Sequence, residues 1–247
     1  MSPTRRGAHL ALVLGDSAGW PRRGGDSEGS LQQRALFNLR RAVWTALELG
    51  VHTVTVYALA PSLWEHDGQT VTSVLGDYAA YLRAEADALR RAAVNVSVIG
   101  RRDRLTPSLK AALQRVEQRT SGCRRARLRL GIDYSARGAF ERARRILELA
   151  GVPCTFDEAL ALAIHDPRPT RPVDLVVAAG GADEADDALF WEAVYAPVVR
   201  VPTPWPEWDP DTLRRILHEG AVVSTGNVPG APTRPRHRVL AGARSDT

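Results

Sequence analysis

The stretch His9-Leu10-Ala11-Leu12-Val13-Leu14-Gly15-Asp16-Ser17-Ala18-Gly19-Trp20 decides how the chain folds. An apolar run of strand length gives way to small and polar residues, the pattern of a strand buried on both faces that ends in a turn. Runs of the same kind recur at residues 53–58, 94–99, 128–132, 174–178 and 198–201. Helix-like material separates them. Residues 31–49 carry Leu36, Leu39, Val43 and Leu47 near helical spacing, and residues 74–91, 109–116, 139–149, 156–164, 189–195 and 211–218 read as helices too. Strand alternating with helix predicts an α/β domain whose central, mostly parallel sheet of about six strands is flanked by helices. A ligand of such a domain belongs at the carboxyl ends of the strands.

Composition sets the outer bounds. A chain of 247 residues with 44% hydrophobic content can build a sizeable core without disulfide or metal staples. One domain over residues 8–220 is expected, after a flexible start at 1–7 and before a mobile Pro-, Gly- and Arg-rich tail at 221–247. Cys123 and Cys154 form neither a disulfide framework nor a metal knuckle, which fits a reducing compartment, and a cytoplasmic protein is expected. No apolar stretch is long enough for a signal peptide or a membrane span. The formal charge is +5, yet Lys110 is the sole lysine and the arginines are scattered along helices. No RNP, zinc-finger or helix-turn-helix pattern accompanies them, so nucleic acid is not an expected partner.

The opening stretch resembles that of the cis-prenyltransferases, the undecaprenyl diphosphate synthase family, which begin H-x-A-x-I-M-D-G-N-G-R-W. Further blocks follow in family order. Arg40-Arg41-Ala42 and Gly50-Val51 are followed by Thr55-Val56-Tyr57-Ala58 leading to Trp64, similar to L-Y-A-F-S-x-E-N-W. Residues 96–100 with Leu105-Thr106-Pro107 resemble V-x-x-I-G-D and L-P, and Asp133-Tyr134-Ser135-Ala136-Arg137 is similar to N-Y-G-G-R. Asp174-Leu175-Val176-Val177, Trp191, Tyr195 and Trp205-Pro206-Glu207-Trp208 match the late blocks D-L-L-I-R-T-x-G-E, L-x-W-x-x-A-Y and W-P-D-F. The resemblance covers roughly residues 8–220. It implies a single α/β domain with a hydrophobic tunnel, a dimer, and magnesium-dependent addition of isopentenyl diphosphate to an allylic diphosphate.

Matched position by position, most of the polar machinery is replaced. Gly15 stands where the family has its catalytic aspartate, Gly19 and Glu28 stand for diphosphate-binding arginines, and Gln32 for a histidine credited with proton handling. The loop before Trp64 reads Ala60-Pro61-Ser62-Leu63, with His66 where an arginine is usual. Residues 178–184 have lost the arginines and serine of R-T-S-G-E-x-R, and Pro197 takes the place of a magnesium-binding glutamate. Each charged hydrogen bond lost to a phosphate is worth about 1.5 to 3 kcal/mol, so their joint loss should abolish diphosphate affinity.

Remaining candidates are few. Asp16, one residue beyond the vacated position, is the candidate catalytic and metal-binding residue, though it serves equally as a turn cap. Arg22 and Arg23 are candidate phosphate ligands or solvated loop residues; Trp20 and Trp64 are candidates for lining an isoprenoid tunnel or for packing. Asp183, Glu184, Asp186 and Asp187 read as an acidic helix start rather than a metal site, and His165-Asp166 and His218 as surface residues. Trp191 and Tyr195 read as core.

Three functions follow. The first is a catalytically degenerate partner subunit of an intact cis-prenyltransferase homologue, as the Nogo-B receptor class is in eukaryotic synthases, although Arg238 and Gly242 only loosely echo that class's C-terminal R-x-G. The second is an active enzyme with a rearranged diphosphate site built on Asp16, Arg22 and Arg23, which would need Mg2+; the degenerate subunit would need no cofactor. The third is a non-enzymatic protein that binds an isoprenoid chain. A dimer, with a homologue or with itself, is expected through residues 139–164 and 189–201.

Overall fold

All six strand-like runs of the sequence become strands, because β-branched and leucine side chains fill both faces of a covered sheet. The computed structural model describes residues 7–15, 20, 27–149, 151, 153–166, 168, 171–180, 192–209 and 211–223. In chain order the elements are β1 (His9–Val13), α1 (Glu28–Glu48), β2 (Thr53–Leu59), a 3-10 turn (Pro61–Glu65), α2 (Gly68–Arg91), β3 (Val94–Ile99), α3 (Pro107–Thr120) and β4 (Ala126–Ile132). There follow α4 (Ala136–Leu149), α5 (Phe156–Ala163), β5 (Leu175–Ala179), β6 (Val198–Val201), a second 3-10 turn (Trp205–Glu207) and α6 (Thr212–Val223). The strands form one parallel sheet in the order β3-β4-β2-β1-β5-β6.

Caps explain why helices outrun their apolar periodicity. The α2 helix starts at Gly68 because the Asp67 carboxylate accepts from the backbone N–H groups of Gln69 (2.9 Å) and Thr70 (3.0 Å). The Thr106 hydroxyl with Pro107 at the first turn does the same for α3. At the far end of α2, Ala93 is forced to φ 55°, a left-handed conformation that suits glycine. Ala93→Gly should therefore raise stability by about 1 kcal/mol, read as a shift in the urea midpoint at constant slope.

The central strand β1 divides its side chains between two cores. Leu10, Leu12 and Leu14 face the larger one, which α1, α2, α3 and α6 close with residues such as Leu39, Leu82, Leu113 and Leu213. Ala11 and Val13 face the smaller one, closed by α4 and α5 through Ala139, Ala143 and Leu160. Along the larger core, Leu63, Leu75, Tyr78, Leu82, Leu109 and Leu113 are each at most 1% exposed, so no water-sized channel runs beside them.

The smaller-core face of the sheet also carries charge. Arg127 and Arg129 alternate with Leu128 and Leu130 along β4 and so point beneath α4 and α5. Arg129 is buried; its Nε donates to Asp166 Oδ2 at 2.9 Å and its Nη1 and Nη2 fork Glu192 at 2.6 and 2.8 Å. Arg127 bonds the other oxygen of Asp166, and its burial draws its pKa down to about 10. Asp166 is thus no surface residue, correcting the sequence reading: two buried guanidiniums need a buried carboxylate.

The same network reaches His9. Its Nδ1 lies 2.7 Å from the carbonyl of Arg171 and its Nε2 2.7 Å from Thr55 Oγ1, which accepts from Arg129 Nη1 at 3.2 Å. Only an Nδ1–H can serve the carbonyl, so neutral His9 accepts at Nε2 from the threonine hydroxyl. Burial is the main cause that lowers the His9 pKa, and burial lowers that of His165 as well. The unfolded chain therefore takes up these protons first. Stability is full above about pH 7 and is lost as pH falls below about 6.5 toward the lowered values. Urea midpoints between about pH 7.5 and 5.5 should fall in the native chain and fall less in His9→Gln.

The segment 189–195 is only partly described, and residues 192–195 form turns rather than the expected helix. Tyr195 is 81% exposed, not core: it lies in the turn that leads into β6, the edge strand of the sheet. Val194 and Val198 are exposed beside it.

Candidate functional site

The strand order reverses between β1 and β5, which opens a crevice at their carboxyl ends. Gly15 (φ 78°) follows β1 and Gly180 (φ 74°) follows β5, and neither puts a side chain into it. The Gly180 N–H donates to the carbonyls of Val201 (2.9 Å) and Thr203 (3.1 Å), so it is not free for a ligand. The first turn of α1 borders the crevice, capped by Ser27, whose hydroxyl accepts from the Ser30 N–H at 3.2 Å. Among the described residues, Nε2 of buried Gln32, on α1, and Nε1 of half-buried Trp20, packed against the larger core, have no hydrogen-bond partner.

Three arginines follow β3, and each is already matched to an acid. Arg101 forks Asp103 and pulls its pKa to about 2. Arg102 bonds both oxygens of Glu117 at 2.8 and 2.9 Å. Arg104 forks both oxygens of the fully buried Asp133 carboxylate at 2.5 Å, and its guanidinium lies 4.4 Å from the Trp64 ring centroid. Trp64, half-buried on the 3-10 turn after β2, is therefore stacked beneath a cation and packed on the larger core. Sequence reading missed Arg104; its signal was Asp133, an acid buried at a strand end and needing a partner.

Asp16, Arg22 and Arg23 lie outside the described residues, as do Asp183, Glu184, Asp186, Asp187 and Trp191. A magnesium ion needs carboxylate oxygens with free lone pairs. Asp133, the carboxylate described at the ends of β3 and β4, has both oxygens taken by Arg104, and no cluster of three ligating side chains occurs among the described residues. The described residues thus do not fit a magnesium site. No described helix is long and apolar enough to cross a membrane.

An open parallel α/β sheet with its crevice where the strand order reverses defines a class of proteins that bind ligands at strand ends. Within that class the chain belongs to the undecaprenyl diphosphate synthase, or cis-prenyltransferase, family: the family profile described as putative undecaprenyl diphosphate synthase matches residues 19–221. It is 30% identical over 209 residues to isoprenyl transferase 1 of Bradyrhizobium diazoefficiens, covering 85% of this chain and 84% of the relative. It is 24% identical over 218 residues to the farnesyl-diphosphate-specific ditrans,polycis-undecaprenyl-diphosphate synthase of Escherichia coli K12, covering 85% of each. Among solved structures it resembles lavandulyl diphosphate synthase from Lavandula x intermedia, in complex with dimethylallyl diphosphate (TM-score 0.75, 19% identity, 86% and 94% of the two chains). It also resembles a probable undecaprenyl diphosphate synthase from Campylobacter jejuni (TM-score 0.66, 20% identity, 87% and 95%).

Proposed function

We propose that this family member is a catalytically degenerate subunit that assembles with an intact cis-prenyltransferase homologue. The observation that carries this is the state of the strand ends: Gly15 and Gly180 offer no side chain, and Arg101, Arg102 and Arg104 are each neutralised by an acid. A diphosphate needs uncompensated cations or metal, and binding it here would first require breaking those pairs. The scaffold is kept, and Val194 and Tyr195 in the turn before β6 and Val198 at its start are exposed apolar side chains beside the edge strand, where a second subunit would dock. Isoprenoid biosynthesis in the cytoplasm is the setting this role implies.

A second reading is an active transferase whose diphosphate site is rebuilt from Asp16, Arg22 and Arg23 with Mg2+. The unpaired donors of Gln32 and Trp20 favour it, since they could complete an anion site beside that loop. The packed larger core argues for a short substrate in that case, and equally against a non-catalytic holder of a long isoprenoid chain. The purified chain, supplied with labelled isopentenyl diphosphate, farnesyl diphosphate and magnesium, should form no product above background. Product that disappears in Asp16→Ala would establish the second reading instead.

A further inference from the structure

The sheet ends in β3 on one side and β6 on the other, and the two edges differ. Every residue of β6 is exposed or half-buried. All six residues of β3 are buried, and they read Val94-Asn95-Val96-Ser97-Val98-Ile99, uncharged, rich in β-branched side chains and without proline. Such a run at a sheet edge is a template on which another strand adds, because its outward N–H and C=O groups need partners.

No described strand supplies them. Side chains from α3 and the loop before it do. The Val96 N–H donates to Thr120 Oγ1 at 3.0 Å and the Val98 N–H to Glu117 Oε1 at 2.9 Å, while the Val98 carbonyl accepts from Arg102 Nη2 at 2.8 Å. Glu117 and Thr120 lie three apart on α3, opposite residues two apart on β3. A helix rises about 4.5 Å over three residues and a strand about 6.6 Å over two, and the longer glutamate side chain makes up the difference.

These acceptors are themselves fixed. Thr120 turns its O–H to the Val116 carbonyl at 2.8 Å, and its own carbonyl accepts from Asn95 Nδ2 at 2.9 Å. Both Glu117 oxygens are held by the Arg102 guanidinium. An open groove lined by Asn95, Val96, Ser97, Arg102 and Glu117 leads to the same edge.

We propose that Glu117, Thr120 and Arg102 stand in for a seventh strand and thereby keep a second copy of this chain from pairing β3 to β3. A sheet able to pair at both edges would extend into open arrays of molecules instead of closing as a pair. The β3 block holds whatever docks at β6.

The test removes the acceptors. Glu117→Leu with Thr120→Val is made in a Tyr195→Asp parent, which takes docking beside β6 out of play, and both are followed by sedimentation velocity over micromolar concentrations. The opened variant should associate with rising concentration beyond its parent, whereas Glu117→Gln, which keeps an acceptor for the Val98 N–H, should match the parent. Adding Val98→Pro removes an outward donor without touching the β4 ladder, and should return the opened variant to the parent's mass even as it lowers stability. In dilute solution the Val98 amide of the opened variant should exchange its hydrogen about 10- to 100-fold faster than in the parent, the equivalent of one lost charged hydrogen bond. Protection should return on association. If the double variant does not fold, Thr120→Val alone gives the same readouts at the Val96 amide. A mass equal to the parent's throughout, association that survives Val98→Pro, or unchanged exchange would each overturn the proposal. Association of the Tyr195→Asp parent itself would count against docking beside β6, and the β3 block would still be read from the difference between variant and parent.

Discussion

Gly100→Ala should leave little folded protein, with a loss of about 4 kcal/mol or more out of a total that is ordinarily about 5 to 15. A Cβ at this position would lie 2.1 Å from the carbonyl oxygen of Ile132 and 3.0 Å from that of Asp133, with φ at 116°. Neither neighbour can yield. Ile132 closes β4 against β2, and Asp133 sits at φ 52° with its carboxylate clamped by Arg104. Relief would have to come from the backbone of two strands at once, whereas overpacking by one methyl is usually absorbed by side chains. The same contact sets the path of Arg101 to Arg104, so any soluble variant should also show a changed tryptophan signal from Trp64. Urea unfolding of the soluble fraction checks both; a loss under 1 kcal/mol would mean that the β3 end is not held as described.

Arg129→Met is the second large effect. Its guanidinium is the partner of Glu192, and with Arg127 it neutralises Asp166. Removing it strands buried carboxylate charge, and such losses cost about 3 to 5 kcal/mol. Removing Glu192 as well should return part of that, since a pair replaced by apolar side chains is often near neutral. A double-mutant cycle on Arg129→Met and Glu192→Met, read by denaturation, should give a coupling of about 2 kcal/mol or more. Additive losses would show that the two side chains do not form the pair.

The sheet was legible because its signal is local: each strand is a short apolar run, and burial of both faces demands that pattern. Of the expected late helix at 189–195, residues 189–191 lie outside the described residues and residues 192–195 form turns. The network around Arg129 was missed for another reason. Arg127 and Arg129 alternate with leucines, which ordinarily marks a face turned to water, and only the cover supplied by α4 and α5 makes them buried. Their partner Asp166 follows His165 in an unremarkable turn, and pairs across 37 residues with Arg129. Pairing over that separation leaves no trace in local sequence. The replacements at Gly15 and Gln32 were visible in sequence, but the pairing that occupies Arg104 and Asp133 required coordinates.

If the strand ends have lost their hold on diphosphate while the scaffold persists, the chain's use lies in assembly. Co-expression with an intact family member from the same genome, affinity capture through this chain, and native mass spectrometry test that most directly. The expected result is a one-to-one complex that condenses isopentenyl diphosphate, in which Tyr195→Asp breaks the association and Asp16→Ala leaves turnover unchanged. A monomer at micromolar concentration beside a fully active, unassociated homologue would contradict it.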